Sequence, residues 1–285
     1  MNYLIKPLAA GLYFVATPIG SARDITLRAL DVLASADVLV AEDTRTARKL
    51  MEIHGVPLGA RRVLAFHDHS GEGVIAKLVA MMRDGQSVAY VSEAGTPLVA
   101  DPGYELGVAA IKDGIAVHTA PGASAVLAAL TVSGLATDRF AFVGFLPNSR
   151  TQRQSEIAAL RNVGFTLVFY ESPKRIHEML DDLVQVLGGE REGAICRELT
   201  KKFEEVQRGT LANLVDGLKD RRLKGELVVL VGRAGAVDVL DVDIDAALAQ
   251  ALETMRVKDA ATTVAGAFGL PRKDVYQRAL AMKEK

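Results

Sequence analysis

The chain has 285 residues, of which 49% are hydrophobic and 24% charged, and its formal net charge is −1. These values are typical of a folded globular protein with room for two domains, and they exclude a disordered chain and a polycation. The single cysteine, Cys196, excludes an intramolecular disulfide framework and a cysteine-based zinc site; no apolar run reaches the ~18 residues of a membrane span, so we expect a cytoplasmic protein.

The first half of the chain alternates between short apolar runs and helical patterns. The apolar runs end in clusters of Gly, Pro, Ser or Thr and lie at 12–16, 38–41, 88–91 and 115–118. Between them, apolar residues recur at the spacing of one helix face, as in 27–33 and 74–82. This alternation predicts parallel strands joined by crossover helices.

A second, looser alternation follows a break at 134–139. Its runs lie at 140–144, 166–170, 194–196, a polar stretch at 203–209, and 227–231. We therefore predict an α/β fold with two α/β domains, at 1–136 and 137–233.

The composition changes after Gly232. Residues 234–245 are small and acidic, which indicates a linker, and 246–285 form an Ala-rich helical module. Within this module we predict a helix over 257–268, a turn at Gly269-Leu270 and a second helix opened by Pro271, because glycine follows helix ends and proline favours first turns. The spacing is typical of a helix-turn-helix, with an apolar face of Val264, Phe268, Val275 and Leu280.

Four loops rich in glycine, proline or charge directly follow predicted strands. They lie at 17–20, 42–45, 92–103 and 121–124. Ligands of open parallel sheets bind outside the carboxyl ends of the strands, so we expect these loops to converge on one crevice. Any one loop also suits an ordinary connection between strand and helix, but four together favour a ligand site.

Common nucleotide and metal motifs are absent from the sequence. No loop matches the dinucleotide fingerprint or the P-loop, which argues against NAD and ATP. His67 and His69 form the only close histidine pair, and without a third ligand in the sequence a polar loop is favoured over a metal site.

Two charged clusters follow apolar runs in the second domain. They are YESPKR at 170–175 and RELTKKFEE at 197–205. Such clusters are usually solvated turns, but their place at strand ends favours the crevice, where their cations would suit phosphate contacts.

Taken in order, these segments resemble the tetrapyrrole methylase superfamily and, within it, the methyltransferases of small-subunit ribosomal RNA. The resemblance rests on TPIG with DITLRAL, AEDTR, SEAGTPLVADPGYEL, PGASAV with SGL, FYESPKRI, RELTKKFEE with RGT, and KGELVVLVG. It covers residues 12–232, and the helical tail also fits. The resemblance implies a homodimer of two-domain subunits, with S-adenosylmethionine bound between the domains. It also implies 2′-O-methylation of a cytidine in the decoding region of 16S rRNA, within the small subunit.

The resemblance also implies cofactor-binding positions. They are Pro18, Ile19, Gly20, Gly95, Thr96, Pro97, Val99, Ser124, Ala125, Tyr170, Glu226 and Leu227, with Glu171 beside them. The pattern departs at Glu93, where the family commonly has Asp.

The expected reaction makes its own demands on the residues. A ribose hydroxyl is a poor nucleophile at neutral pH, so a positioned base would help. The candidate catalytic carboxylates are Asp43, Glu93, Asp101 and Glu171, of which Asp101 and Glu171 are preferred because each lies beside a proline. The candidate RNA-binding cations are Arg45, Lys174, Arg175, Lys201 and Lys202.

Two other functions remain open from the sequence. A carbon methyltransferase acting on a corrinoid or siroheme precursor would keep the cofactor cleft but would not need the clustered cations or the tail. A non-catalytic nucleic-acid-binding regulator would use the tail as its reader and the α/β part as a ligand sensor. For the tail itself, a substrate-docking module is favoured over three helices that cap the second domain or a dimer interface.

Overall fold

The computed structural model describes residues 2–67, 70–234, 241–268 and 270–283. One compact unit ends at Arg233 and a second begins at Ala234. The first unit contains two β-sheets with helices, and the second contains helices.

The first sheet is parallel throughout, as the alternation of the first half predicted. Its strand order is β3-β2-β4-β1-β5. The strands are β1 (Gly11–Val15), β2 (Val38–Ala41), β3 (Val63–Ala65), β4 (Ser87–Val91) and β5 (Val117–Ala120), and the helices are α1 (Leu27–Ser35), α2 (Thr44–Ile53), α3 (Glu72–Arg83), α4 (Tyr104–Lys112) and α5 (Ala125–Ser133).

Both faces of this sheet are covered, which explains its continuous apolar strands. Alternate residues of β1 point to opposite faces: Tyr13 and Val15 pack with α1 and α2, whereas Leu12 and Phe14 pack with α3 and α4. All five residues of β1 are buried.

The second sheet is mixed. Its order is β6-β7-β10-β8-β9; β6 and β7 are parallel, and the other neighbours are antiparallel. The strands are β6 (Phe140–Phe145), β7 (Thr166–Glu171), β8 (Glu192–Arg197), β9 (Glu205–Thr210) and β10 (Leu227–Val231), and the helices are α6 (Arg150–Ala159), α7 (Ile176–Leu187) and α8 (Leu211–Leu218). Helices α6 to α8 cover one face, and α5 packs on the other through Val126, Ala129 and Leu130.

The chain crosses from one sheet to the other between α5 and β6. Gly134, with a φ of +76°, ends α5 in the left-handed conformation that glycine adopts without strain. The division into domains at 136/137 stays a prediction.

The second unit contains α9 (Asp241–Leu252), α10 (Val257–Phe268) and α11 (Arg272–Lys283). The two helices predicted around Pro271 are observed, while Gly269 of the predicted turn lies outside the described residues. Helix α9 takes in 241–245, the end of the segment interpreted as linker, because Ile244 and Leu248 are spaced to bury one helix face.

The core of this second unit differs at one residue from the apolar face predicted for the helix-turn-helix. Val264 and Val275 are buried and Phe268 packs against them, as expected. Leu280 is 39% exposed, and its neighbour Ala279 is buried instead. A close approach of α10 and α11 requires a small residue at the contact, which alanine supplies.

Candidate active site

The main cleft of the first unit lies at the carboxyl ends of the central strands of the first sheet. It has a volume of about 350 Å³ and is lined by residues from both sheets. Nine of the twelve predicted cofactor positions line it: Ile19, Gly95, Thr96, Val99, Ser124, Ala125, Tyr170, Glu226 and Leu227.

Three of the four predicted loops contribute to this cleft, and the fourth does not. Strand β1 lies between β4 and β5, so the loops that follow these three strands are adjacent. Strand β2 lies beyond β4, and no residue of 42–45 is among those lining the cleft. Strand order, which the sequence pattern does not reveal, therefore decides which loops meet.

Hydrogen bonds hold the three loops together. The backbone groups of Thr17 and Gly95 bond to each other in both directions, at 2.9 and 3.0 Å. The Thr96 hydroxyl donates to the carbonyl of Ala123 at 2.9 Å, which joins the second loop to the third. The walls of the cleft are thus fixed by the backbone, and a ligand meets a preformed surface.

Gly95 is required by its conformation and by its neighbours. Its φ is +84°, in the left-handed region that disfavours other residues, and a Cβ here would lie 3.2 Å from Cγ2 of Ile19. Leu98 and Ala100, with φ of +70° and +56°, are also left-handed. Such strain in residues other than glycine concentrates at ligand-binding loops.

The opposite wall comes from the ends of β6 and β7 and the start of β10. Tyr170 contacts the rings of Phe142 and Phe145 edge-on, with centroids 4.8 and 5.7 Å away. Burial raises the pKa of Tyr170, and the charges of Glu226 and Asp101 raise it further, while a hydrogen bond from the Val126 amide opposes them. Tyr170 therefore remains a neutral phenol at physiological pH.

Carboxylates dominate the charge of the cleft. Asp101, Glu171 and Glu226 line it, and among the described lining residues none is lysine or arginine. Such a cleft favours a positively charged or neutral ligand and disfavours a phosphate.

Glu171 is already engaged by the protein. It is 3% exposed, accepts a hydrogen bond of 2.7 Å from the Ser172 amide and pairs with Arg175 at 3.2 Å. Arg175 also donates to Asn148 Oδ1 and to the carbonyls of Leu146 and Pro147. Arg175, predicted to bind RNA, is thus committed to internal contacts beside the cleft.

Lys201 is also committed to internal contacts. Its Nζ lies 2.9 Å from Glu198 Oε1 and 2.9 Å from Glu226 Oε2, and Glu198 accepts a further bond of 3.0 Å from the Glu226 amide. A Cβ at Gly225 would collide with the Glu198 carboxylate, so glycine permits this close approach. The network holds the Gly225–Glu226 rim of the cleft.

The remaining predicted residues lie outside the cleft lining. Pro18 is half-buried, Pro97 is buried, and Gly20 lies against the segment between β8 and β9, where a Cβ would be 2.5 Å from Thr200 Oγ1. Glu93 is exposed.

Asp43 caps α2 and pairs with Arg45, whose hydrogen bonds lower the pKa of Asp43 to about 2, so it is a weak base. Lys174 and Lys202 are exposed.

Sequence reasoning missed seven residues that line the cleft: Ala94, Ala100, Phe145, Ser172, Pro173, Gly225 and Val228. Six of them are immediate neighbours of predicted positions or lie within the charged clusters. Phe145 had only an indirect signal, because it directly follows the apolar run predicted at 140–144.

Among the described residues, neither a reactive cysteine, nor a metal site, nor a membrane-spanning helix is observed. Burial raises the pKa of Cys196 to about 11, so its thiol is not a ready nucleophile. No group of three or more His, Cys, Asp or Glu suited to a metal occurs among the described residues, and His69 lies outside them. None of the described helices is long and apolar enough to span a membrane.

Comparison with family models gives two matches. Residues 11–215 match the Tetrapyrrole (Corrin/Porphyrin) Methylases, and residues 238–283 match the RsmI C-terminal HTH domain.

Curated relatives match over almost the whole chain. Proteins named Ribosomal RNA small subunit methyltransferase I from Mesorhizobium japonicum and Halalkalibacterium halodurans are 48% and 41% identical. The matches cover 98% and 93% of this chain and 94% and 93% of theirs.

Solved structures share the fold at low identity. Diphthine synthase aligns with a TM-score of 0.60 at 19% identity, over 78% of this chain and 89% of that one. Uroporphyrin-III-C-methyltransferase from Thermus thermophilus aligns with a TM-score of 0.55 at 22% identity, over 81% and 96%.

Proposed function

The chain belongs to the tetrapyrrole (corrin/porphyrin) methylases, in the family of the ribosomal RNA small subunit methyltransferases I, and from this we propose its reaction. It is an S-adenosylmethionine-dependent methyltransferase. We propose that it methylates the ribose 2′-hydroxyl of a cytidine in the decoding region of 16S rRNA. The observation that carries the proposal is the preformed, carboxylate-lined cleft in a chain 48% identical to a protein named Ribosomal RNA small subunit methyltransferase I.

The cleft fits this cofactor by size and charge. Its volume of about 350 Å³ falls within the range of small-molecule sites. S-adenosylmethionine supplies a methyl group activated by a positively charged sulfonium. The cleft lining holds the carboxylates Asp101, Glu171 and Glu226 and no described lysine or arginine, while Glu171 and Glu226 pair with cations outside that lining. Gly95 leaves free the space that a side chain would fill.

Most of the rate enhancement is expected from alignment of the reacting atoms. Methyl transfer is an in-line displacement, so a rigid cleft that holds its ligand in one orientation favours it. With S-adenosylmethionine bound, its sulfonium would supply the methyl group to the ribose oxygen and would leave as the neutral sulfide. The hydroxyl proton must pass to a base.

We assign the base to Asp101. Glu171 is buried and bound by Ser172 and Arg175, which makes it a structural carboxylate. Asp101 lines the cleft and is half-buried. A carboxylate within hydrogen-bond reach is sufficient to accept the proton in the transition state.

Contact with RNA is expected at exposed cations outside the cleft and at the tail. Lys174, Lys202 and Arg45 are exposed on the first unit, and Arg272 and Lys273 are exposed at the start of α11. Phosphate contacts by such residues give affinity without sequence readout. The resemblance further supports a homodimer that acts on the small subunit in the cytoplasm, where such a substrate is found.

The test measures transfer of labelled methyl from S-adenosylmethionine to 30S subunits that lack the modification. We expect 2′-O-methylcytidine after digestion of the 16S rRNA. We expect Gly95→Leu to abolish methyl transfer. Calorimetry should show an affinity for S-adenosylmethionine that is at least about tenfold lower, because the leucine side chain overfills the cleft.

The matched control is Gly59→Leu. Gly59 has a similar positive φ of +59° but nothing within 4 Å of its Cβ position, so it carries the backbone strain without touching the cleft. Equal loss of affinity in both variants, or a methylated base instead of a methylated ribose, would contradict the proposal.

A further inference from the structure

A second cavity adjoins the cleft, and we infer that it binds the base and ribose of the target nucleotide, with Tyr104 as the stacking surface. This inference rests on the proposed function. The cavity has a volume of about 270 Å³ and is lined by the described residues that follow β3 and by the loop before α4. Its lining includes Phe66, His67, Ser70, Asp101, Tyr104 and Glu105.

Asp101 connects the two cavities, since it lines both. A nucleotide in the second cavity therefore has its sugar beside the carboxylate that also borders the cofactor cleft. The methyl group in the first cleft and the 2′-hydroxyl in the second cavity must come into contact, and the contact is expected beside Asp101. The hydroxyl proton passes to the Asp101 carboxylate as the ribose oxygen takes the methyl group, and from there to solvent.

The floor of the second cavity is rigid. Phe66 is buried and packs edge-on against Tyr90, with ring centroids 5.8 Å apart, and Tyr90 packs in the same way on Phe14 at 5.6 Å. Gly103 lies on the Tyr90 ring, where a Cβ would be 3.2 Å from Cζ. The cavity is thus backed by the core of the first sheet.

One wall of the cavity is an exposed aromatic ring. Tyr104 is the first residue of α4 and is 71% exposed. A tyrosine so exposed beside a cavity loses hydrophobic stabilisation in the free protein and gains it when a flat ligand covers the ring. Proteins that recognise single-stranded RNA stack splayed-out bases on such rings, and enzymes that modify nucleotides take their target out of the helix.

The charge of the second cavity favours the neutral base and ribose of a nucleotide over its phosphate. Asp101 and Glu105 are carboxylates, and His67 is the one basic side chain among the described residues of the lining. Two carboxylates disfavour a phosphate, whereas they accept hydrogen bonds from hydroxyl and amino groups. Glu105 is the acceptor suited to the amino group of cytosine.

The test compares Tyr104→Ala and Tyr104→Leu with Tyr104→Phe in the full-length enzyme. Two quantities are measured: S-adenosylmethionine affinity by calorimetry, and kcat/KM for methyl transfer to unmodified 30S subunits. We expect Tyr104→Ala and Tyr104→Leu to lower kcat/KM about tenfold or more, the usual effect of losing one base–aromatic stack, with cofactor affinity unchanged. Tyr104→Phe keeps the ring and should retain activity.

Ile111→Ala is the control on the same helix. Ile111 is 66% exposed and lines neither cavity. The inference is overturned if Tyr104→Ala methylates subunits with the wild-type kcat/KM or if it lowers the affinity for S-adenosylmethionine. It is also overturned if Ile111→Ala loses as much activity as Tyr104→Ala. Absence of methyl transfer by the wild-type enzyme would instead contradict the proposed function, so the two failures are distinguishable.

Discussion

Lys201 and Lys202 are neighbours in the sequence and have opposite environments in the fold. Lys201 is surrounded by Glu198 and Glu226, one of which lines the cofactor cleft. Lys202 is exposed, and its Nζ lies 5.5 Å from the ring centroid of Phe203. Both were predicted to bind RNA, but only Lys202 is open to a polyanion.

We expect substitution of the two lysines to separate cofactor binding from RNA binding. Lys201→Met removes the cation between two carboxylates, so the Glu226 rim should loosen and S-adenosylmethionine affinity should fall severalfold. Lys202→Met should leave cofactor affinity unchanged and should reduce the salt slope of 30S binding by up to about one unit. Calorimetry and filter binding at several salt concentrations check this, and a lower salt slope in Lys201→Met with unchanged cofactor affinity would contradict it.

At the scale of single residues, the sequence predicted which side chains lie near the cleft better than what they contact. Glycine and proline carry their conformational preferences with them, so Gly95 was identifiable from its loop. Ion pairs join distant positions: Lys201 and Glu226 are brought together because β10 lies beside β8. A charged cluster in sequence therefore cannot be assigned to solvent, ligand or protein before the strand order is known.

At the scale of elements, α6 and α7 are joined by a buried ion pair. Arg153 and Asp182 are each 1% exposed, and Arg153 Nε donates to Asp182 Oδ2 at 2.7 Å. Gln154 and Arg150 also donate to Asp182. Burial alone would raise the pKa of Asp182, but these hydrogen bonds outweigh it and the pKa is lowered.

We expect Asp182→Asn to destabilise the protein by about 3–5 kcal/mol, because it leaves the buried Arg153 guanidinium without its buried counter-ion. Glu178→Gln is the control: Glu178 also pairs with Arg153 but is 66% exposed, so its loss should cost no more than about 0.5 kcal/mol. Urea denaturation at pH 7 measures both.

The pH dependence of this pair follows from the direction of the Asp182 shift. A carboxyl whose pKa is lower in the folded state than in the unfolded state stabilises the fold above its ordinary value of 3.8. That stability is lost as the pH falls through the lowered pKa. The difference between wild type and Asp182→Asn should therefore be constant near neutrality and shrink below about pH 4; a difference that grows in acid would contradict the assignment.

Nine of the ten described strands correspond to predicted runs, including the polar β9, and β3 does not. Strand β3 has three residues and leaves no pattern to detect. Strand β5 was expected at 115–118 but lies at Val117–Ala120, because an edge strand tolerates His118 and Thr119 where an apolar run was sought. The acidic start of α9 resembled a linker because, among its described residues, Ile244 alone is a buried apolar position.

At the scale of the whole molecule, the chain consists of two compact units that meet in sequence at Arg233 and Ala234. The first unit alone carries the cleft and the second cavity. The second has its own core, centred on Leu248, Val264 and Val275. Each unit therefore buries apolar residues of its own, as an independently stable module does.

We expect a chain that ends at Arg233 to fold and to bind S-adenosylmethionine within about twofold of the full-length affinity, since every described residue lining the cleft is retained. It should methylate 30S subunits with a lower kcat/KM and a shallower salt dependence, because Arg272 and Lys273 are lost. Insoluble protein, or lost cofactor binding, would favour a capping role of the tail over substrate docking.

The position of β10 determines the order in which the two sheets can be completed during synthesis. This strand lies between β7 and β8 at the centre of the second sheet, yet it is the last strand of that sheet to be synthesised. The first sheet is complete once residue 120 has emerged, and domains form as units from the amino terminus during translation. A nascent chain that stalls before Leu227 lacks both the middle of its second sheet and the part of the cleft wall that β10 supplies. The cleft that binds the methyl donor is therefore complete only after β10 is in place, and incomplete chains expose unpaired strand edges that are prone to aggregation.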